Sequence, residues 1–595
     1  MNQDRTIVRL WRDAVVRWPG EQTAYLTHED GVWRPVTWQE ASATVDARAN
    51  GFLARGVRKG EAYAVLARTK LDWALTDFAL ALVGAVTVPI YPTSSARDVG
   101  YVLQHSEAVG VVCEDAEQLA KVDELRASLP RLRQVVTFDE LGELDREGGA
   151  FALASPSALD TAASSVDEED LFTFIYTSGT TGPPKGCMIR HRNYYEMAAV
   201  VEAMPHYRQP GDVCLLYLPL AHNFGRLVHL TGPLAGTAIA FEPDPYSVAD
   251  ALSAVRPMVF PSVPRVFEKV HTALVGSFAE ATGVRRRLID WALDVGRNVG
   301  GRRRRGEPVP LGLRARHAIA DRLVYSKVKD RLGGRLRLPI SGGAPLSREV
   351  AELFDALDIR IMEGYGLTEC TSAGTSNHPA AYRYGTVGKA LPGVELRLAA
   401  DGELELRSET VFAGYFKDPE ATAAVLTADG WLRTGDVATI DDDGFVTITD
   451  RKKDIIVTAG GKNIAPQNLE NDLKASRFVS QALVVGDRRP YAAALITLDP
   501  AEIGKWADER GLDGSLETLA RDEQVNALVQ EIVDGVNRDR SRFEQIKRFA
   551  ILPRDFEPDR GEVTPTLKLK RRVCMEHYAA EIEGLYGPES QSDSG

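Results

Sequence analysis

Tyr176-Thr177-Ser178-Gly179-Thr180-Thr181-Gly182-Pro183-Pro184-Lys185-Gly186 is a run of hydroxyls and glycines closed by two prolines and a lysine. It directly follows residues 171–175, an aromatic and β-branched stretch that reads as a strand. Glycines lack a Cβ, so their backbone N–H groups can come close to phosphate oxygens. The hydroxyls supply more donors and Lys185 a cation, while the prolines stiffen the turn. The spacing is not that of the nucleoside-triphosphatase loop G-x-x-x-x-G-K-[ST], because Lys185 stands three residues after Gly182 and Gly186 follows it. Nor is it the dinucleotide fingerprint G-x-G-x-x-G.

Outward from this loop, short β-branched runs alternate with segments of helical periodicity, the pattern of a parallel α/β architecture. Residues 62–67, 109–113, 134–138 and 171–177 read as strands, and 45–56 and 96–106 as helices. Near-continuous apolar strands such as Val109-Gly110-Val111-Val112 belong to a sheet covered on both faces. Residues 150–170 read as a surface connection and 300–306 as a break between helices. Beyond about residue 385 the pattern turns to short antiparallel strands with Asp401-Gly402 and Asp443-Gly444 turns. A smaller unit begins near Lys453, with strands at 455–458, 481–485 and 492–498, and the polar tail 589–595 is expected to fray. The expected fold is α/β. A large N-terminal portion of stacked α/β subdomains plus a β-rich subdomain spans 1–452, and a small mobile α+β C-terminal domain spans 453–595.

The 595 residues are 44% apolar and 26% charged, as in a soluble globular protein. A net charge of −13 argues against nucleic acid as a partner. Local basic runs remain, at Arg285-Arg286-Arg287 and Arg302-Arg303-Arg304-Arg305; they read as a solvated loop, or as a contact for anionic lipid or a phosphorylated ligand. Five cysteines without C-x-x-C spacing give no zinc or disulfide framework. The N-terminus has no secretory pattern. The most apolar stretch, 78–90, is far short of a membrane span and reads as a buried helix running into a strand at Val86. A cytoplasmic protein is expected, with peripheral membrane contact at most.

The loop resembles the signature loop of the adenylate-forming superfamily, which includes acyl-CoA synthetases, and further family motifs follow in order. They are Leu218-Pro219-Leu220-Ala221-His222; Ser341-Gly342-Gly343-Ala344-Pro345-Leu346 with Glu363-Gly364-Tyr365-Gly366-Leu367-Thr368-Glu369; Thr434-Gly435-Asp436 with Asp450-Arg451-Lys452-Lys453-Asp454 and Gly460-Gly461-Lys462-Asn463-Ile464; and Thr564-Pro565-Thr566-Leu567-Lys568-Leu569-Lys570-Arg571. They span about two thirds of the chain.

The resemblance implies that a carboxylic acid attacks the α-phosphate of ATP with Mg²⁺ bound, and that the acyl-AMP then reacts with the thiol of CoA. Both steps bring negative groups together, so positioning and electrostatics should dominate. Thr177, Ser178, Gly179, Thr180, Thr181, Gly182 and Lys185 would hold the β- and γ-phosphates. Gly343, Ala344, Pro345, Glu363, Gly364, Tyr365 and Gly366 would form the adenine side, and Asp436 and Arg451 the ribose side. Thr368 would bond the α-phosphate, and Glu369 with Thr177 would ligate Mg²⁺. Lys568 would be the catalytic cation, touching carboxylate and α-phosphate. His222, Gly366 and Leu367 would line the acid pocket, Lys453 would be the hinge of the terminal domain, and Gly460, Gly461 and Lys462 would meet CoA.

Within the superfamily, residues 217–222, Val263-Pro264-Arg265-Val266-Phe267-Glu268-Lys269, the helical insert 271–329 and Gly486-Asp487-Arg488-Arg489-Pro490-Tyr491 look like the long-chain fatty acid branch. Gly225 departs from it, since long-chain members commonly carry glutamate there. The alternatives are a fatty acyl-AMP ligase serving a carrier protein, or a CoA ligase for a shorter or aromatic acid. A homodimer is compatible with the sequence.

Overall fold

The computed structural model describes residues 4–29, 31–177, 183–204, 209–538, 540–557, 560–564 and 569–587. Two large sheets carry the N-terminal portion. In the first, strands run in the order 414–415, 185–190, 171–177, 86–90, 62–66, 110–113, 134–137. The five from Leu171–Thr177 to Gln134–Thr137 are mutually parallel, as near-continuous apolar strands require. Lys185–Arg190 returns antiparallel to Leu171–Thr177 and sets Lys185 opposite Thr177. Leu171–Thr177 and Lys185–Arg190 therefore form an antiparallel pair at the edge of a parallel sheet.

The apolar stretch 78–90 is the end of the helix Leu71–Leu82 and the strand Val86–Ile90, both buried. The helix Trp38–Ala54 starts at a capping box, in which Thr37 and Glu40 satisfy each other's backbone N–H groups.

The second sheet has nine strands and delivers Leu338–Ser341 and Met362–Tyr365 side by side, parallel, with Ser341 opposite Glu363. Between the sheets lies the helix Asn223–Ala235, with Arg226 fully buried. Its guanidinium pairs with buried Asp77, bonds Thr173 and stacks 4.3 Å over the Phe172 ring. Gly225, the departure from the long-chain pattern, is explained here. A Cβ at this position would lie 2.4 Å from the Pro219 carbonyl oxygen, so no larger side chain fits this approach of helix to turn.

Residues 395–398, 403–407, 432–440 and 446–451 form a four-stranded antiparallel sheet, the β-rich subdomain expected. The terminal unit packs the helices Pro466–Lys474 and Glu523–Asn537 on a three-stranded sheet, with an apolar core of its own.

Three local expectations are corrected. Residues 150–170 are not a plain connection, because Leu141–Ala154 and Ala158–Ser164 are helices there; alanine-rich sequence favours helix once one face is buried. The break expected at 300–306 lies only at its end, where Gly306 takes φ +66° after the 22-residue helix Gly283–Arg304. The arginines at that end are not a solvated loop. Arg303 pairs with Asp358, Arg304 with Asp355 and Tyr384, and Arg302 and Arg305 with Glu307. In the terminal unit, Arg571 opens the helix Arg571–His577 and inserts between Glu470 and the Val484 carbonyl.

Candidate nucleotide and acid site

The strand Met362–Tyr365 ends at Tyr365, and the chain turns through Gly366 into the short 3₁₀ turn Thr368–Cys370. Only glycine allows this turn. A Cβ on Gly366 would meet the Ser372 carbonyl oxygen at 2.1 Å, while Thr371 and Ser372 take left-handed φ values of 54° and 93°. Ser372 N donates to Leu367 O at 3.0 Å and closes the loop. Thr368 is the first residue of the turn, not its cap, and the turn presents Thr368 and Glu369 half-buried on one side.

Four sequence-selected residues meet there. Tyr365 Oη donates to Asp436 Oδ2 at 2.6 Å, and Arg451 Nε lies 3.1 Å from Asp436 Oδ1. Asp436 and Arg451 are cross-strand partners in the antiparallel sheet, so strand register alone sets this pairing. Burial, and then the Asp436 carboxylate, hold the Tyr365 phenol protonated well above its ordinary range. Lys453 stands two residues past Arg451. Its ammonium is held below the usual value first by desolvation and then by the Arg451 charge, with Asp436 and Glu369 acting oppositely.

Glu369 is tied to a residue that lies outside every sequence motif. Tyr415 Oη donates to Glu369 Oε1 at 2.7 Å, and Lys185 Nζ lies 5.1 Å from the Tyr415 ring centroid and 3.7 Å from Asp418 Oδ2. Tyr415 sits on the two-residue strand Gly414–Tyr415, paired with Met188 and Cys187 of the strand Lys185–Arg190. The only sequence signal for it is the tight Gly414-Tyr415-Phe416, in which Gly414 has φ 122°. Tyr415, Asp418 and Met188 also line a cavity of about 390 Å³ beside the strand Lys185–Arg190.

Gly343 takes φ +85° and is exposed with Ala344; Pro345 follows, half-buried. Glu363 does not face the cleft with them. It is buried beneath their loop, where Leu346 N donates to its Oε1 at 3.4 Å, and burial raises its carboxyl to about 8. Gly364 pairs with Ser376 behind Tyr365. His222 caps the helix Asn223–Ala235 by accepting from Phe224 N at 3.1 Å. Leu367 meets the same region, since Asn223 Nδ2 donates to its carbonyl at 3.4 Å.

Gly460, Gly461 and Lys462 form the exposed tip of the hairpin that pairs Ile456–Val457 with Asn463–Ile464. Gly461 has φ +70°, a Cβ there would meet nothing within 4 Å, and Lys462 Nζ lies 5.7 Å from the Phe543 ring centroid. Ser178, Gly179, Thr180, Thr181, Gly182 and Lys568 lie outside the described residues. The described residues on either side of 565–568 pair with one another. Val563 and Leu569 form a bridge, Lys570 N donates to Glu562 O at 2.8 Å, and buried Glu562 grips Arg554 at 2.7 Å and His577 at 3.0 Å.

Residues 11–416 match the model of the AMP-binding enzyme family, and residues 453–590 that of the AMP-binding enzyme C-terminal domain. The chain is 41% identical over 571 residues to long-chain-fatty-acid–CoA ligase FadD15 of Mycobacterium bovis, covering 94% of each. It is 31% identical to long-chain-fatty-acid–CoA ligase ACSBG2 of Xenopus laevis, covering 98% of this chain and 84% of that one. The crystal structure of the anthranilate CoA ligase AuaEII with anthranoyl-AMP superposes with a TM-score of 0.75 at 20% identity, covering 98% and 99%. At that identity the likeness speaks for the fold. Among the described residues, no helix is long and apolar enough to cross a membrane.

Proposed function

The chain belongs to the AMP-binding enzyme family, and from that premise we propose that it is an ATP-dependent long-chain fatty acid:CoA ligase. The acid oxygen attacks the α-phosphorus of ATP and expels pyrophosphate. The thiol of CoA then attacks the acyl carbon of the acyl-AMP and releases AMP. The observation that carries this reading is the buried Asp436 carboxylate, shared between Tyr365 and Arg451. A carboxylate with two acceptor oxygens suits a ribose diol, with Tyr365 beside it as a flat face for adenine. The long-chain preference rests on the similarity to relatives named as long-chain-fatty-acid–CoA ligases.

The phosphates would extend from Thr368 toward Lys185 and the hydroxyl-and-glycine loop. Glu369 and the Thr177 hydroxyl would hold Mg²⁺, an ion that takes one or two protein oxygens and shares the substrate's phosphates. Bound there, Mg²⁺ supplies charge neutralisation on the phosphates. Tyr415 orients Glu369 through its O–H donation, and Glu363 holds the 343–345 loop from behind. Lys568 stabilises the charge that passes from carboxylate to phosphate, and Gly460, Gly461 and Lys462 receive CoA after the terminal domain, residues 453–595, turns about Lys453. An acid of this class resides in lipid, so a peripheral lipid contact belongs to the same reading.

Pyrophosphate release with palmitate, benzoate and acetate, each with and without CoA, tests the proposal. Palmitate should give steady turnover only with CoA present. A burst with palmitate that CoA never converts to turnover would remove the CoA-ligase assignment.

A further inference from the structure

Although the chain carries a net charge of −13, one face of its helical insert is basic and apolar at once. From Leu311–Ala320 through the π turn Asp321–Tyr325 to Ser326–Arg331 the backbone coils without interruption. At about 100° per residue, Leu311, Ala315, Ile319 and Leu323 advance by about 40° each and form one stripe. All four are exposed, Leu311 to 81%, Ile319 to 53% and Leu323 to 40%. The opposite side is committed to the core. Ala320, Val324, Tyr325 and Val328 are buried, and Tyr325 Oη donates to Ala292 O at 2.5 Å, so the stripe cannot roll inward.

Arg314, Arg316, Arg322 and Lys327 border or interrupt the stripe and are exposed. Among the described residues no ion pair or side-chain hydrogen bond holds them, in contrast to the nearby Arg302–Arg305 run, in which every guanidinium has an acidic partner. Large apolar side chains held in water oppose a purely solvated role for this face, and the unpaired cations around them leave charge free for an anionic partner.

We propose that this face, residues 311–327, docks on an anionic lipid surface. The stripe would enter the headgroup and acyl boundary. The arginine and lysine stems would lie along it and lift their charges to the anionic headgroups. Nucleic acid would match the charge but give Leu311, Ile319 and Leu323 no apolar surface. An acidic protein groove could match both; lipid is favoured because the acid assigned under the ligase reading is stored in bilayers, and to that extent the proposal rests on that reading.

Co-sedimentation of the full-length protein with phosphatidylcholine vesicles, with or without about one third phosphatidylglycerol, tests it. The protein should bind the anionic vesicles and be released by salt. Arg314→Gln/Arg316→Gln/Arg322→Gln should bind about a hundredfold more weakly, at about fivefold per arginine. Ile319→Ser/Leu323→Ser should lose at least about tenfold. Both variants should keep wild-type turnover on dissolved octanoate, which shows that they are folded. Equal binding by variants and wild type, no preference for anionic vesicles, or capture of polyuridylate or a polyglutamate peptide in place of vesicles would each overturn the proposal. A failed ligase reading would look different: vesicle binding as expected, with no acid activated.

Discussion

Arg265 joins the two parts of the chain. From the helix Pro264–Ala279 it donates through Nη1 to Ser480 O at 2.9 Å and through Nη2 to Ser480 Oγ at 2.8 Å, and the buried Ser480 hydroxyl passes the contact on to Asp555. At the far end of the same helix, Gly276 lies against the Arg477–Glu502 pair of the terminal unit. One helix face thus cradles the terminal unit in the orientation seen.

If that unit must turn about Lys453 between half-reactions, the Arg265 contact has to open. A charged hydrogen bond is worth about 1.5–3 kcal/mol. Arg265→Ala should therefore shift the ratio of the two single-turnover rates, adenylate formation and thioester formation, by at least about tenfold. Lys453→Pro, which restricts the turning backbone itself, should slow thioester formation much more than adenylate formation. Unchanged ratios in both variants would deny the contact and the hinge their roles.

Asp436→Ala leaves the Tyr365 hydroxyl and the Arg451 guanidinium without their shared acceptor and removes the proposed ribose partner. A loss of about 10²–10³ in kcat/KM for ATP is expected, read by pyrophosphate release. Tyr415→Phe removes only the orienting bond to Glu369, so its loss should be smaller and should ease as Mg²⁺ is raised. An Asp436 variant with wild-type ATP dependence would place the nucleotide elsewhere.

Much of the candidate site was legible in the sequence because its residues sit in local runs. The strand Leu171–Thr177, the Tyr365–Glu369 turn and the Thr434-Gly435-Asp436 stretch each announce themselves by composition and order. Tyr415 and Arg265 do not, since each acts on a partner far along the chain, 46 residues away for Glu369 and 215 for Ser480. Glu363 was legible as a motif residue but not in its placement. Whether a carboxyl faces a cleft or lies beneath its loop depends on which strand packs beside it. The helices within 150–170 were hidden for the same reason, because an Ala/Ser-rich run becomes helical only when tertiary packing covers one side.

Neighbouring glycines give a contrast within one loop. A Cβ on Gly366 would collide with the Ser372 carbonyl at 2.1 Å, whereas on Gly364 its nearest neighbour is Thr375 O at 3.4 Å. Gly366→Ala should misplace Thr368 and Glu369 and lower kcat/KM by about 10² or more, while Gly364→Ala stays within a few fold. Similar activities in the two variants would mean that the turn relaxes without moving the site.

Glu363 should make stability depend on pH. Its carboxyl is buried, accepts one hydrogen bond from Leu346 N and has no partner for Oε2 among the described residues, so burial lifts it from 4.5 to about 8. Between these values the folded protein keeps a proton that the unfolded chain releases. Raising the pH therefore favours unfolding, and the stability present below about 4.5 is lost as pH climbs through 8. Glu363→Gln keeps an acceptor for Leu346 N but cannot ionise. Its stability relative to wild type should grow from pH 5 to pH 8 by a few kcal/mol, about 1.4 per unit of maintained shift, as read by urea melts at several pH values. Parallel wild-type and variant curves across that range would show that Glu363 ionises freely and that the 343–345 loop is held by something else.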